Sequence, residues 1–536
     1  MIQKGISYEH PVFFWLGVTA ITAGVLLHLP MFIAASNNHY QLAGMQPDAG
    51  MISGMVLLVL GLGSVIYGLF PRFSTLIDQE ASRIRVRALD DAPIKPAHIG
   101  LLIVMAIAIT IDVMKPTTFG FIAPGVAKEY NLRSALNPGG GLPVALYPLA
   151  GIGGTVIGSF LWGWMGDRIG RRASILLSAA IFIATAICGV MPNYLWNLAN
   201  CFVMGLGVGG MLPIIFALMA ETIPARHRGW LMVLVGGDVA GAYIITSWLA
   251  STIAAPDSFG WRMLWLVGLP TGLLLLLLNR WIPESPRFLL SRGRDDEARA
   301  IMEHYGAVVV EADSELEAER HLKARFSQLL QAPFLGLTSV VALLGLGIGM
   351  VQFGFQQWIP SNLQKLGFAE VDATRILRDS ALIGFPLNFP IAFMYGMWSA
   401  KRTIILMAAI TAAALFGFVV AGDAVADNRA LLYILLVAPI WGISSLTAVV
   451  VAYASEVYPT RVRSRGTGVA AGSAKIGGVM ILALVALQVA APSISRTAML
   501  GGIPLTLAII AMIFFGVETN RKQLETITAE ELGDRG

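Results

Sequence analysis

Two ionisable residues stand in the middle of an apolar run. Asp112 and Lys115 lie about half-way along residues 98–125. An ionisable group at mid-membrane costs about 2.5–3.5 kcal/mol on insertion scales, so each such group calls for a role. Their i, i+3 spacing puts them on one helix face. A carboxyl there takes up and releases a proton; an ammonium beside it tunes that carboxyl or binds an anionic solute. A buried structural ion pair is the alternative. The adjoining Pro116-Thr-Thr-Phe-Gly120 favours the chemical role, because proline and glycine break helices and free backbone groups for a ligand. Asp238, in Gly236-Gly237-Asp238-Val-Ala-Gly241, offers a second proton or substrate site, or a hydrogen bond where small residues let helices approach. Lys475, in Gly472-Ser-Ala-Lys475-Ile-Gly-Gly478, has neighbours too small to cover it and lies deep for snorkelling. It suits a cationic partner for an anionic solute, or for an acid on another helix. Gln352, Gln356, Gln357, Asn388 and Trp441 are neutral polar or aromatic groups within apolar runs. They line a site or make interhelical hydrogen bonds.

The elements that carry these residues are membrane spans. Of 536 residues, 56% are hydrophobic and 13% charged, where a soluble chain carries roughly 25% charged residues. The composition therefore indicates an all-α, polytopic membrane protein. Apolar runs of about 20 residues are the unit to count. Two occupy residues 11–35 and 51–70, and twelve more lie between 98 and 517, fourteen in all. The first run is too long for a signal-peptide core and is followed at once by a second, so it reads as a retained helix. The loop between these two has no Lys or Arg, whereas the next has Arg72, Arg83, Arg85, Arg87 and Lys95, which puts the amino terminus inside. The polar insertion 283–334 is basic at its start and alternates charge from 295, which predicts short surface helices on the cytoplasmic side. The tail after 518 also ends inside. Cys188 and Cys201 fall in or beside apolar runs and read as packing residues. No spacing suggests a metal site, no P-loop is present, no nucleophile and base share a loop, and no basic patch stands clear of the membrane. These patterns point away from an enzyme, a cofactor or nucleic acid, and toward a small solute, protons and lipid as partners. Short, disulfide-poor loops fit a bacterial inner membrane.

The expected organisation is two extra helices with a cytoplasmic linker (1–97), a six-helix bundle (98–282), the insertion (283–334), a second bundle (335–517) and a tail (518–536). The sequence supports duplication. Glu221-Thr-Ile-Pro224-Ala-Arg226-His-Arg228 recurs as Glu456-Val-Tyr-Pro459-Thr-Arg461-Val-Arg463, with Glu, Pro, Arg and Arg all displaced by 235 positions. Glu284 with Arg287 recurs as Glu518 with Arg521, displaced by 234. Such repeats relate two halves about an axis along the membrane normal.

The charged turn Gly163-Trp-Met-Gly-Asp167-Arg168-Ile-Gly170-Arg171-Arg172 resembles the loop between the second and third helices of the major facilitator superfamily. Pro283-Glu284-Ser285-Pro286-Arg287 and Glu456-Val-Tyr-Pro459 resemble the sugar-porter, synaptic-vesicle-protein-like and metabolite:proton symporter branch. The stretch Asp112 to Pro124 resembles the first helix of aromatic-acid:proton symporters, with Lys115 where those carry a second acid and Lys475 where they carry arginine. The resemblance spans residues 98–520; the first 97 fall outside it. It implies the major facilitator fold, two six-helix bundles rocking about a central site. It also implies a gating role for Gly163, Asp167, Arg168, Gly170, Arg171, Arg172, Glu221, Arg226, Arg228, Glu284, Arg287, Glu456, Arg461 and Arg463, as salt bridges that close the cytoplasmic side. The expected function is a proton-coupled symporter of a small organic solute, an anion foremost. The alternatives are a facilitative sugar or polyol uniporter and a transporter-like sensor or scaffold, and the chain is expected to be a monomer.

Overall fold

A computed structural model describes residues 10–70, 89, 92–134, 136–290, 292–308, 326–332, 334–458, 460–487 and 493–519. At 160, 163, 164, 167, 168, 225, 287, 326 and 460–464 it describes the backbone alone. Among the described residues there is no strand beyond one bridge between Arg133 and Pro143.

The helical spans are α1 (Pro11–Asn38), α2 (Ala49–Leu69), α3 (Pro96–Glu129), α4 (Leu146–Ile169), α5 (Arg171–Val190), α6 (Tyr194–Thr222), α7 (Arg226–Ser251), α8 (Met263–Trp281), α9 (Leu335–Lys365), α10 (Glu370–Met397), α11 (Ala400–Asp427), α12 (Arg429–Val457), α13 (Arg465–Ala486) and α14 (Ile494–Phe515). Thirteen are long and apolar enough to cross a bilayer among the described residues; α4, with 24 residues, fills the place of the expected span at 142–162. The all-α membrane architecture stands, and the count of fourteen is closely met. Polar side chains mark several helix starts. Asp48 Oδ1 accepts the Met51 N–H at 2.6 Å, Ser399 Oγ the Arg402 N–H at 3.0 Å, and Asn428 Oδ1 the Leu431 N–H at 3.1 Å. In the insertion, a helix at Asp295–His304 buries Ala298 and Met302, as its charge pattern predicts.

The helices form two compact units, Met1–Thr222 with Ile245–Ala312, and Ile223–Ile244 with Asp313–Gly536. In the first, α4 and α6 pack through small residues, and a Cβ at Gly205 would run into the Gly151 carbonyl. The pair is closed by Trp162 Nε1 donating to Leu206 O at 2.6 Å and Ser159 Oγ to Gly209 O at 2.9 Å. The two extra helices make a hairpin of the same kind, Gly17 and Gly24 against Gly61 and Gly54, and this hairpin lies along α5. In the second unit, α9 packs on α13 and α14, and α11 on α14.

Two spans are interrupted where polar candidates lie. Helix α3 is not one of them: it runs continuously through Pro116 and Pro124, so the break expected at Pro116–Gly120 does not form. Helix α7 breaks at Gly237–Asp238. Helix α9 widens into a π-turn over Val351–Phe355 and tightens over Gln356–Trp358. Such bulges commonly sit at functional sites because they expose backbone groups that a regular helix would use.

Candidate functional site

Inside the first unit, Asp112 and Lys115 are buried, at 2% and 4% exposure. Lys115 points at α8: a Cβ on Gly268 would fall on its Nζ. The ammonium stands over the Trp265 ring at 5.5 Å and has no hydrogen-bond partner among the described residues. An ion pair with Asp112, the structural alternative, is therefore not what Lys115 makes. A cation–π contact is worth about 2 kcal/mol when desolvated, less than the several kcal/mol that burying a charge costs. The ammonium is thus under-compensated and suited to an anion. Around it, Phe119, Tyr147 and Trp265 form an edge-to-face cluster with centroids 5.4–6.3 Å apart. The Trp265 Nε1–H is a buried donor with no hydrogen-bond partner among the described residues, and the buried Tyr147 hydroxyl faces the Cys201 thiol. Cys188 and Cys201 are free and buried, with sulfurs 3.9 Å apart.

Inside the second unit, Gln356 and Asn388 both bond to residues 439–445 of α12. Gln356 Nε2 donates to Pro439 O at 3.0 Å. Trp441 packs on Gly384 of α10, where a Cβ would meet it. Asn388 donates to Gly237 O at 3.2 Å and accepts from Ser445 Oγ at 2.7 Å. That pair of bonds holds the break in α7, with half-buried Asp238 the next residue. Gln357 is buried and Gln352 half-buried on the π-turn of α9. Lys475 is half-buried on α13, next to Ala474, whose backbone abuts Gly349.

At the Arg-rich ends, each unit binds a carboxylate to a helix start. Glu284 Oε1 accepts the N–H groups of Arg171 (2.7 Å), Arg172 (3.3 Å) and Ser285 (2.9 Å), which caps α5. Gly170 adopts φ 95°, and a Cβ there would strike Glu284, so glycine is required. Burial pushes the Glu284 carboxyl above the usual range, against the pull of those N–H groups. Arg172 donates to Asn279 at 2.8 Å, Arg171 lies 3.9 Å from Glu221, and Ser285 donates to Glu221. In the second unit Glu518 accepts the Ala400 N–H at 2.9 Å and the Ser399 hydroxyl, capping α11. Glu456 accepts from Tyr395 at 2.7 Å and Thr519 at 2.9 Å. Arg228 is buried and donates to Ile223 O, while Arg226 is exposed. The side chains of Asp167, Arg168, Arg287, Arg461 and Arg463 lie outside the described residues, and Gly163 is described by its backbone alone, within α4.

A family model described as "Sugar (and other) transporter" matches residues 149–530, more than half of the chain. The chain belongs to the sugar (and other) transporter family. Among curated relatives, the niacin transporter NiaP of Acinetobacter baylyi is 27% identical over 452 residues, 82% of this chain and 99% of that protein. The 4-hydroxybenzoate transporter PcaK of the same organism is 25% identical, covering 73% and 85%. Among solved structures, the major facilitator proton:xylose symporter XylE superposes with a TM-score of 0.64 at 19% identity, covering 81% of this chain and 99% of that one. The major facilitator fold is therefore that of this protein, a multi-pass membrane transporter of small molecules.

Of the transporter's polar network, the sequence reading missed Trp265, Tyr147, Ser445, Tyr395, Asn279, Ser285 and Thr519. Ser285 and Thr519 carried a signal, since each directly follows a repeated element with Glu284 and Glu518. Ser445 and Tyr147 carried none, because a lone hydroxyl in an apolar run is usual in membrane helices.

Proposed function

We propose that this transporter is a proton-coupled symporter of a small organic anion, an aromatic carboxylate foremost, working by alternating access. The observation that carries the reading is Lys115, a buried ammonium with no hydrogen-bond partner among the described residues, three residues from a buried carboxyl on the same continuous helix. Asp112 takes the coupled proton, with Asp238 as a second acid. Lys115 and Lys475 supply positive charge for the carboxylate, and Gln352, Gln356, Gln357, Asn388 and Trp441 supply neutral contacts. Relatives named for niacin, 4-hydroxybenzoate and gentisate all handle aromatic acids, which supports the substrate class. The basic loops support a cytoplasmic location for both termini, and the helix-end clusters support a gating role for Arg171, Glu221, Glu284 and Glu456.

The test uses purified protein in liposomes with a pH-sensitive dye outside. Adding nicotinate or 4-hydroxybenzoate should alkalinise the outside, and Asp112→Asn should abolish the signal. Uptake with no proton movement in the wild type would sink symport. It would promote facilitative sugar or polyol transport, which the neutral set Gln356, Gln357, Asn388 and Trp441 favours.

A further inference from the structure

Glu129, the last residue of α3, is a carboxylate buried to 3% exposure, and four hydrogen bonds converge on it. Its Oε1 accepts the main-chain N–H groups of Leu42 (2.7 Å) and Ala43 (3.0 Å) and the Arg262 guanidinium (2.6 Å). Its Oε2 accepts the Trp261 indole N–H at 2.8 Å. Arg262, 1% exposed, also donates through its two terminal nitrogens to Gly189 O, Met191 O and the Tyr130 hydroxyl, at 3.2, 3.1 and 2.9 Å. Tyr130 in turn donates to Met191 O at 2.6 Å and accepts from Asn197 at 2.9 Å. One ion pair thus ties the ends of α3, α5, α6 and α8.

Leu42 and Ala43 do not belong to that six-helix core. They lie in the turn between the two extra helices, outside the segment matched by the family model. The turn is built to present these donors. His39 and Tyr40 both adopt left-handed backbone, φ 49° and 57°, a conformation disfavoured for bulky residues and kept only where surroundings enforce it. The Tyr40 N–H bonds Ala35 O at 2.9 Å, its ring lies 4.9 Å from Phe32 and 5.4 Å from Phe259, and the Gly44 N–H bonds Pro192 O at 3.2 Å. Burial works against the Arg262 charge, but Tyr130 and Glu129 outweigh it, so the guanidinium stays ionised.

We infer that the two extra helices are a built-in clasp, whose turn completes the Glu129 carboxylate shell and so fixes Arg262 and, one helical turn on, the Trp265 indole over Lys115. Glu129 is then a positioning residue for the Lys115 site, and this half of the inference rests on the transport function proposed above.

The full-length protein in nanodiscs tests it without any substrate, by hydrogen exchange of peptides covering 259–268. Ala43→Pro removes one main-chain donor at an exposed position; Glu129→Gln removes the charge; Ala43→Gly is the control. Exchange at 262–266 should rise about tenfold in Ala43→Pro and in Glu129→Gln, the effect of losing one hydrogen bond's worth of local stability. The double variant should exceed Glu129→Gln by little, because both act through one carboxylate. Unchanged exchange at 262–266 in Ala43→Pro overturns the clasp, even if Glu129→Gln fails to fold. In liposomes, both variants should raise KM for nicotinate about tenfold with Vmax within about twofold, and Lys115→Gln should erase that difference. Raised exchange with an unmoved KM overturns the positioning role while leaving the clasp. Wild type that does not carry nicotinate or 4-hydroxybenzoate sinks the substrate proposal alone, since the exchange result decides the clasp without it.

Discussion

The two units bury polarity in different currencies of chemistry. The first places Asp112 and Lys115 in its interior, with the ammonium over the Trp265 ring of an aromatic cluster. The second places neutral groups there: Gln356 and Asn388 are bonded to backbone carbonyls and a hydroxyl, while the Gln357 amide nitrogen and the Trp441 indole N–H have no hydrogen-bond partner among the described residues. A charge held short of partners is poised to respond to a proton or an anion; a satisfied amide holds a helix break in one shape. At the Arg-rich ends the units agree instead. Glu284 and Glu518 each cap the helix that follows a charged turn, and Ser285 on Glu221 matches Thr519 on Glu456. The two units thus match in their helix-end chemistry and differ in their interiors, and under the proposed function the buried charges of the first unit would carry the coupling.

The sharpest way to break this division is Asp112→Asn. It should lower proton-coupled uptake by about two orders of magnitude, as loss of a positioned proton carrier does, while Asn388→Ala lowers it far less. Equal losses in liposome flux would end the contrast. Lys115→Gln should raise KM for an aromatic carboxylate about 30-fold, the equivalent of about 2 kcal/mol for a charged hydrogen bond, and leave KM for the corresponding amide unchanged. If both rise together, Lys115 does not read charge. Asn388→Ala strips Gly237 O and Ser445 of their partner and should cost about 1–3 kcal/mol, seen as a lower melting temperature in detergent. The smallest effect concerns the matched caps. Burial raises the Glu284 carboxyl, so the folded protein holds that proton at pH values where the unfolded chain has lost it. Its contribution is fully present below the ordinary carboxyl pKa and is lost as pH rises through the raised one. Glu284→Gln should flatten the fall of melting temperature across that window; an unchanged slope would show that the cap is not the titrating group.

Much of this was legible in advance because membrane insertion leaves few degrees of freedom. A run of about 20 apolar residues has one stable form, so α1 to α14 could be counted from composition and length. Glu221 and Glu456, repeated at one offset, announced the duplication, and the Arg-rich ends bear it out in matching hydrogen bonds. The interior of the site was legible only as residue types. Asp112 and Lys115 share a helix face, which suggested a pair, yet Lys115 extends instead toward Gly268 and Trp265 on α8. Nothing in the local sequence of α3 encodes that choice; the missing side chain at a glycine more than 150 positions away does.

Glu129 and Arg262 make the same point at the other end of α3. Each reads in sequence as an ordinary charge at a span boundary, and the extra hairpin as two helices without a task. By itself the sequence determined what must lie in lipid, where the chain repeats and which buried groups carry charge, because hydrophobic transfer and insertion cost act on local composition. Only the tertiary structure decided the partners. The Leu42 and Ala43 N–H groups have no identity in a sequence until folding brings a carboxylate within 3.0 Å of them, and hydrogen bonds depend on distance and direction rather than on order along the chain.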